Sequence, residues 1–239
     1  MWSLCHALLA SSFLAAPNPA PVDDGCLAQV RQPPPAAAAA PVPPRLATPA
    51  EVVDALQRSY EGVRDYTANF TQELTNTAAG ETTRSQGTLY FKKPGKMRWD
   101  YRTPEAKALI SDGTTLWIWE PAFKQYAAQP VSQSSAPLAL RFLMGQGKLS
   151  DDFTAEVKAV KEGLVALELT PKSAASGVDK LRFVVSTTDW KVQEAVLYDP
   201  LGNRNRLVFS GAKWNSNLPD AGFVFAPPAG AREIKAPGR

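Results

Sequence analysis

The strongest constraint on this chain is a two-residue alternation of apolar and polar side chains that begins at Tyr66 and persists almost to the C-terminus. It is plain in GTLYFKKPGKMRWDYRTP, residues 87–104, where Leu89 and Phe91 alternate with Tyr90 and Lys92, and Met97, Trp99 and Tyr101 alternate with Arg98, Asp100 and Arg102. Successive side chains of a β-strand point to opposite faces, so this period predicts strands, and Pro94-Gly95 predicts the turn between two of them. The same pattern, cut by Gly, Pro or Asp-Gly, predicts strands over 66–74, 85–93, 96–103, 107–113, 115–121 and 124–131. It predicts further strands over 153–161, 164–172, 180–187, 191–199, 205–214 and 223–228. Short links such as Asp112-Gly113 make neighbours hairpin partners, giving an antiparallel meander of eleven or twelve strands.

Two stretches depart from this period. In TPAEVVDALQRSYEGV, Thr48 stands as N-cap, Pro49 at the first helical position and Glu51 three residues after the cap, with Val52, Val53, Leu56, Tyr60 and Val63 on one stripe. That predicts one amphipathic helix that closes a core. In SAPLALRFLMGQG, Pro137 can open a helix, and Leu138, Leu140, Phe142, Leu143 and Met144 leave it almost no polar face. A short helix that is apolar nearly all round must cover something or be covered.

A sheet of this size either stacks into two layers or curls. Leu116 and Ile118 lie on one face of their strand with Trp117 and Trp119 on the other, and Val184-Val185 breaks the alternation, so a second buried face is possible. Periodicity alone leaves a closed sandwich and a sheet curled around a cavity as open alternatives.

The ends read differently. Residues 1–16 carry a short apolar run, Ala7 to Ala16, too short to span a bilayer and suggestive of a secretory signal, although no Lys or Arg precedes it. Ten of the 21 prolines fall between Pro17 and Pro49, beside the tract Ala36–Ala40, so residues 17–47 read as an extended linker and 48–239 as the folded domain. Acids at Asp23-Asp24 argue against lipid attachment at Cys26. His6, Cys5 and Cys26 are the only His and Cys residues, and all precede the folded domain. That domain therefore has no Ser-His-Asp or Cys-His site, no imidazole or thiolate metal site and no disulfide, and an enzyme is not expected. Asp112, Glu120, Asp151, Asp152 and Asp199 sit beside Gly, Pro or another acid and read as turn residues. With 26 basic and 23 acidic residues mixed along the chain, a nucleic-acid partner is not expected.

A set of landmarks decides between the two sheet arrangements. In order they are Phe70 and Gln72, Gly87 through Pro94, Trp99, Ser111-Asp112-Gly113, Trp117 with Glu120-Pro121, Gln125, then LELTPK at 167–172 and FVFAPPAG at 223–230. In order and spacing this resembles the LolA family of periplasmic lipoprotein carriers, over essentially the whole of 48–239. The resemblance implies a mainly β (α+β) fold, an incomplete antiparallel β-barrel of about eleven strands with a helical lid over a hydrophobic cavity. It implies that Leu89, Phe91, Met97, Trp99, Leu116 and Ile118 line the cavity and that Leu138, Leu140, Phe142, Leu143 and Met144 form the lid. Relatives usually carry Arg just before the Pro of the Gly-led strand as a latch on the lid; here Lys93 holds that place and offers a point charge rather than a planar fork. The implied function is to bind the acyl chains of lipoproteins released from the inner membrane and deliver them to the outer membrane, without a cofactor or metal. The implied partners are a lipoprotein-releasing ABC transporter of the inner membrane and an outer-membrane acceptor, for a periplasmic monomer. A carrier of another lipid, or a tethered lipid-binding or sensor module on the same fold, is the alternative.

Overall fold

The computed structural model describes residues 48–133, 147–173 and 177–235. The segments 1–16 and 17–47 and the apolar stretch 138–144 lie outside the described residues. The chain opens with α1 (Pro49–Glu61), and Thr48 caps it as expected: Glu51 N–H donates to Thr48 Oγ1 at 3.3 Å while Thr48 N–H donates to the Glu51 carboxylate at 2.8 Å. This reciprocal capping box satisfies donors that a helix start otherwise leaves orphaned. Val52, Val53, Leu56 and Tyr60 form its buried stripe.

Eleven strands follow the alternation: β1 (Asp65–Asn76), β2 (Glu81–Lys92), β3 (Lys96–Thr103), β4 (Lys107–Ser111), β5 (Thr115–Glu120), β6 (Gln125–Pro130), β7 (Phe153–Lys161), β8 (Leu164–Pro171), β9 (Lys180–Ser186), β10 (Val192–Tyr198) and β11 (Arg204–Trp214). A helical turn, α2 (Leu149–Asp152), precedes β7, and a short β12 (Arg232–Ile234) ends the sheet. The strand order is β12-β6-β5-β4-β3-β2-β1-β11-β10-β9-β8-β7, a single open sheet in which β1 and β11, far apart in sequence, are paired at the centre.

Two expectations need correction. Among the described residues the sheet has the expected number of strands, twelve, but is not wholly antiparallel, because β12 pairs parallel to β6 through Arg232 opposite Gln125. Residues 223–228 do not form the last strand. Phe223 ends a 3-10 turn, Asp220–Phe223, and the segment that follows crosses the sheet rather than joining it. Pro227 and Pro228 explain why: neither has an N–H to give to a ladder, so the apolar run ahead of them is used for side-chain anchoring.

Register sorts the side chains into two faces. On the inner face, under α1, lie Tyr66, Phe70, Leu89, Phe91, Met97 and Trp99 with Leu167, Leu181, Phe183 and Val185, all in one cluster with Val52 and Leu56. On the outer face, Ala108, Ile110 and Phe223 are also buried, so the second buried surface exists. The segment after β11 builds it. Buried Asp65 accepts from Ser216 N–H at 2.8 Å and from Asn217 N–H at 3.2 Å, turning the chain out of β11. Lys92 donates to Leu218 O at 2.6 Å, and Arg98 Nη1 donates to Gly222 O at 3.2 Å. Phe225 then packs on Trp117, Trp119 and Tyr126, with ring centroids 6.4, 5.8 and 5.4 Å away. This C-terminal strap reaches the sheet edge, where Arg232 N–H donates to Lys124 O.

Candidate functional site

Because Trp99 pairs with Leu109 and Leu109 with Ile118, while Met97 pairs with Ser111 and Ser111 with Leu116, cross-strand register puts Leu116 and Ile118 on the inner face with Met97 and Trp99. Trp117 and Trp119 belong to the outer face under the strap. Leu89, Phe91, Met97, Trp99 and Leu116 are all buried in the cluster that α1 covers, and Ile118 is half-buried on the same face. Leu138, Leu140, Phe142, Leu143 and Met144 lie outside the described residues.

The inner face is an aromatic row with an aliphatic border. Trp214 stacks on Tyr66 at 4.6 Å and Tyr66 on Phe91 at 5.1 Å. Phe91 meets Trp99 edge-on at 6.0 Å, Trp99 meets Phe70 at 4.9 Å, and Phe70 meets Tyr101 at 5.0 Å. Edge-to-face and offset pairs of this kind add to the free energy of burial. Along the row burial declines: Tyr66 and Phe70 are sealed, whereas Tyr101, Leu109, Leu197 and Leu207 are only partly buried, and Leu74 is 45% exposed. The apolar face therefore continues past the part that α1 covers.

Lys93 has a partner on α1. Its Nζ donates to Tyr60 O at 2.6 Å and lies 3.4 Å from Glu61 O, so it caps the C-terminal carbonyls of the covering helix. Lys191 does the same from the far side, donating to Ser59 O, with its ammonium 4.5 Å from the Tyr60 ring centroid and 4.7 Å from that of Trp214. Burial lowers the pKa of both lysines, with Asp189 partly offsetting the effect at Lys191 and Glu61 at Lys93. Two cations thus hold the negative end of α1 against the sheet. Lys191 escaped sequence reasoning, since only its position just before a strand marked it.

Asp112 and Asp199 behave as the expected turn residues, whereas Glu120 ends β5 and Asp151 and Asp152 lie in a helical turn. Asp112 Oδ1 accepts from Thr114 and Thr115 N–H, each at 2.8 Å, and Asp199 accepts from the Asn203 side-chain amide, which with the Asn203 and Leu201 N–H groups holds its pKa below the ordinary value. Glu120 accepts from Gln125 Nε2 at 2.6 Å, tying β5 to β6, and Asp151 and Asp152 lie in α2. Among the described residues no three His, Cys, Asp or Glu side chains gather as a metal site.

Gln72, two residues after Phe70, points inward and is buried. Its Nε2 donates to Asn205 Oδ1 at 3.0 Å, and burial pushes the pKa of the nearby Tyr101 hydroxyl up to about 12, with the Gln72 side chain partly offsetting the effect.

Comparison with known proteins agrees with this geometry. The family model described as "Outer membrane lipoprotein carrier protein LolA" matches residues 61–226. The chain is 33% identical over 184 residues to an outer-membrane lipoprotein carrier protein of Dechloromonas aromatica, covering 76% of this chain and 86% of that protein. It is also 33% identical over 189 residues to the protein of the same name from Chromobacterium violaceum, covering 77% and 89%. An uncharacterized conserved protein from Thermus thermophilus shares the fold, with a TM-score of 0.51 at 15% identity over 78% of this chain and 98% of that one. With a family match over most of the folded domain and a third of its residues shared with carriers aligned over most of their length, the chain belongs to the LolA family.

Proposed function

We propose that the protein is a periplasmic carrier that takes the acyl chains of lipoproteins on its inner sheet face and hands them to the outer membrane. One observation carries the reading: the aromatic and aliphatic inner face runs beyond the cover of α1 to half-buried Tyr101, Leu109, Ile118 and Leu207 and to exposed Leu74. Family membership, and relatives named as lipoprotein carriers, support the same use of that face. Leu89, Phe91, Met97, Trp99, Leu116 and Ile118 form its floor, and Leu138, Leu140, Phe142, Leu143 and Met144 form the lid. Lys93, as the latch, acts through α1, donating to Tyr60 O and Glu61 O at the end of that helix. The partners in this scheme are a lipoprotein-releasing transporter of the inner membrane and an acceptor at the outer membrane, for a monomeric, non-catalytic carrier.

The energetics require a cover that cargo can displace. A buried methylene contributes about 0.8 kcal/mol, so one acyl chain of about fifteen methylenes represents on the order of 12 kcal/mol, enough to make release from a dry preformed cavity impracticably slow. If cargo displaces side chains that already bury this face, the lost burial offsets most of the gain and binding becomes reversible.

The test is native mass spectrometry with lipid extraction of the full chain purified from an exporting bacterial host, beside Leu74→Glu, a substitution at an exposed position of the same face. Co-purified triacylated lipoprotein that is diminished in the variant supports the carrier. Free lipid in its place moves the assignment to a carrier of another lipid, and a protein free of both overturns the reading.

A further inference from the structure

Gln72 lies where an acyl-binding face has no evident use for an amide. Its cross-strand partners are Leu207 on β11 and Ser85 on β2, and Leu74, the next residue on its face, is opposite Asn205. Leucines at 72 and 205 would extend the apolar floor at no polar cost. The chain instead buries Gln72 and Ser85 there and joins Gln72 to Asn205 across the two central strands. A polar group in such a place must be hydrogen-bonded or it opposes folding.

Among the described residues the hydrogen-bonding capacity is not used up. Gln72 donates to Asn205 Oδ1 at 3.0 Å, with the Tyr101 side chain on the same face beside it. For the Nδ2 hydrogens of Asn205, no acceptor is found among the described residues, and Asn205 and Tyr101 are both only half-buried. The cluster thus presents neutral donors at the border where the sealed aromatic row gives way to the partly covered Leu197, Leu207 and exposed Leu74. Neutral donors beside an apolar trough suit an uncharged acceptor attached to a long alkyl chain. Acyl esters and N-acyl amides have that form: a carbonyl oxygen at the root of each chain, which loses water when the chain is buried and needs a donor in exchange.

We infer that Gln72, Asn205 and Tyr101, with Ser85 beside them, form a subsite for the ester and amide carbonyls that join acyl chains to their headgroup. The inference rests on the carrier reading and adds to it: the apolar floor binds chains of any kind, whereas this cluster distinguishes acylated headgroups from bare alkyl chains and sets how deep the chains sit.

The test compares three probes on the full chain: a tripalmitoylated Cys-Ser peptide, a dipalmitoyl phospholipid, and a trialkyl ether analogue of the peptide with equal chain lengths and no acyl carbonyls. The variants are Gln72→Met/Asn205→Leu, which removes both amides together so that neither is left unpaired, and Tyr101→Phe, with circular dichroism confirming the fold. The expected result is about a tenfold loss of peptide affinity in the double variant with ether affinity changed less than about twofold, so that the peptide-to-ether ratio falls. A parallel loss for the phospholipid shows that acyl esters in general are read; a loss confined to the peptide shows that the N-acyl amide is read. Equal losses for all three probes, or none, overturn the subsite while leaving the carrier reading intact. A wild-type protein that binds none of the probes overturns the carrier reading itself.

Discussion

The ring of Phe70 lies over Gly87, its cross-strand partner, so closely that a Cβ built on Gly87 would sit 2.6 Å from ring atoms Cε1 and Cζ and 2.2 Å from the carbonyl oxygen of Asp100. Glycine is required here for space, and the register shift between Gln86 and Gly87 marks the same close approach on the β3 side. Gly87→Ala must displace both a ring that anchors the aromatic row and a backbone carbonyl. The expected cost is about 2–3 kcal/mol, a fall in Tm of roughly 4–12 °C. Adding Phe70→Leu does not restore stability, since the Asp100 carbonyl remains; full recovery in the double variant would show that the ring alone makes the constraint.

Lys93 and Lys191 make a second pair whose coupling has a definite sign. Each donates to C-terminal carbonyls of α1, and their mutual repulsion helps depress the Lys191 pKa after burial and against the pull of Asp189. Replacing either by Met loses a cap of roughly 0.3–1 kcal/mol but also relieves the repulsion. The double replacement relieves that repulsion only once, so it costs more than the sum of the two singles. Urea midpoints of the four proteins form the double-mutant cycle, and a double cost below the sum contradicts the arrangement.

Much of this organisation is legible in the chain because its signals are local. Alternation marks β1 to β11 and assigns Leu89, Phe91, Met97 and Trp99 to one face, and Thr48-Pro49 with Glu51 marks the start of α1. What is not legible depends on pairings between distant residues. Phe223-Val224-Phe225 has strand-like composition, yet its neighbours in space are Trp117, Trp119 and Tyr126, reached only after β5 and β6 are in place. Gln72 stands two residues after Phe70, but its partner Asn205 is 133 residues away and is fixed by the β1–β11 register. The position of Lys93 was evident and its partner was not, because Tyr60 O is exposed to it only where α1 ends.

The strap gives an acid-sensitive prediction. Asp220 lies 2.5 Å from Lys92 Nζ and 2.9 Å from Lys96 Nζ, and hydrogen bonds from Lys92 and then Lys96 hold its carboxyl down at about 2, against 3.8 for the free group. A carboxylate depressed in the folded state contributes stability that is present above the free value and is lost as pH falls through the depressed one. Attachment of the strap therefore weakens between about pH 4 and pH 2, and Asp220→Asn weakens it at neutral pH, the difference from the wild type closing as pH falls to about 2. Because the pair is exposed, the effect is local: faster hydrogen exchange in residues 218–224 with little change in Tm. Unchanged exchange in Asp220→Asn would assign strap attachment to the Leu218, Gly222 and Phe225 contacts alone.

At the other end of the pH scale, the tyrosines under α1 set the limit of stability. Burial raises the pKa of Tyr60, against a backbone hydrogen bond with Val192 that lowers it, and burial raises that of Tyr66 well above the free phenol value of 10.0. A group whose pKa is raised by folding contributes stability that is complete below its unfolded pKa and declines as pH climbs above it, since only the unfolded chain then releases the proton. Each such tyrosine costs up to about 1.4 kcal/mol per pH unit once pH exceeds about 10, so the pair gives a slope approaching about 3 kcal/mol per unit. The depressed lysines act the other way as pH rises toward their free value of 10.5 and contribute no further change above it, which leaves the tyrosines to set the slope. Urea denaturation at stepped alkaline pH measures this directly. Phenolate absorbance from Tyr60 and Tyr66 should appear only together with loss of the β-sheet circular dichroism signal. Tyr66→Phe, which keeps the ring between Phe91 and Trp214, should cut the slope by roughly half while leaving neutral-pH stability within about 1 kcal/mol. An unchanged slope in that variant would mean that alkaline unfolding starts elsewhere, away from the junction where α1 meets the aromatic row.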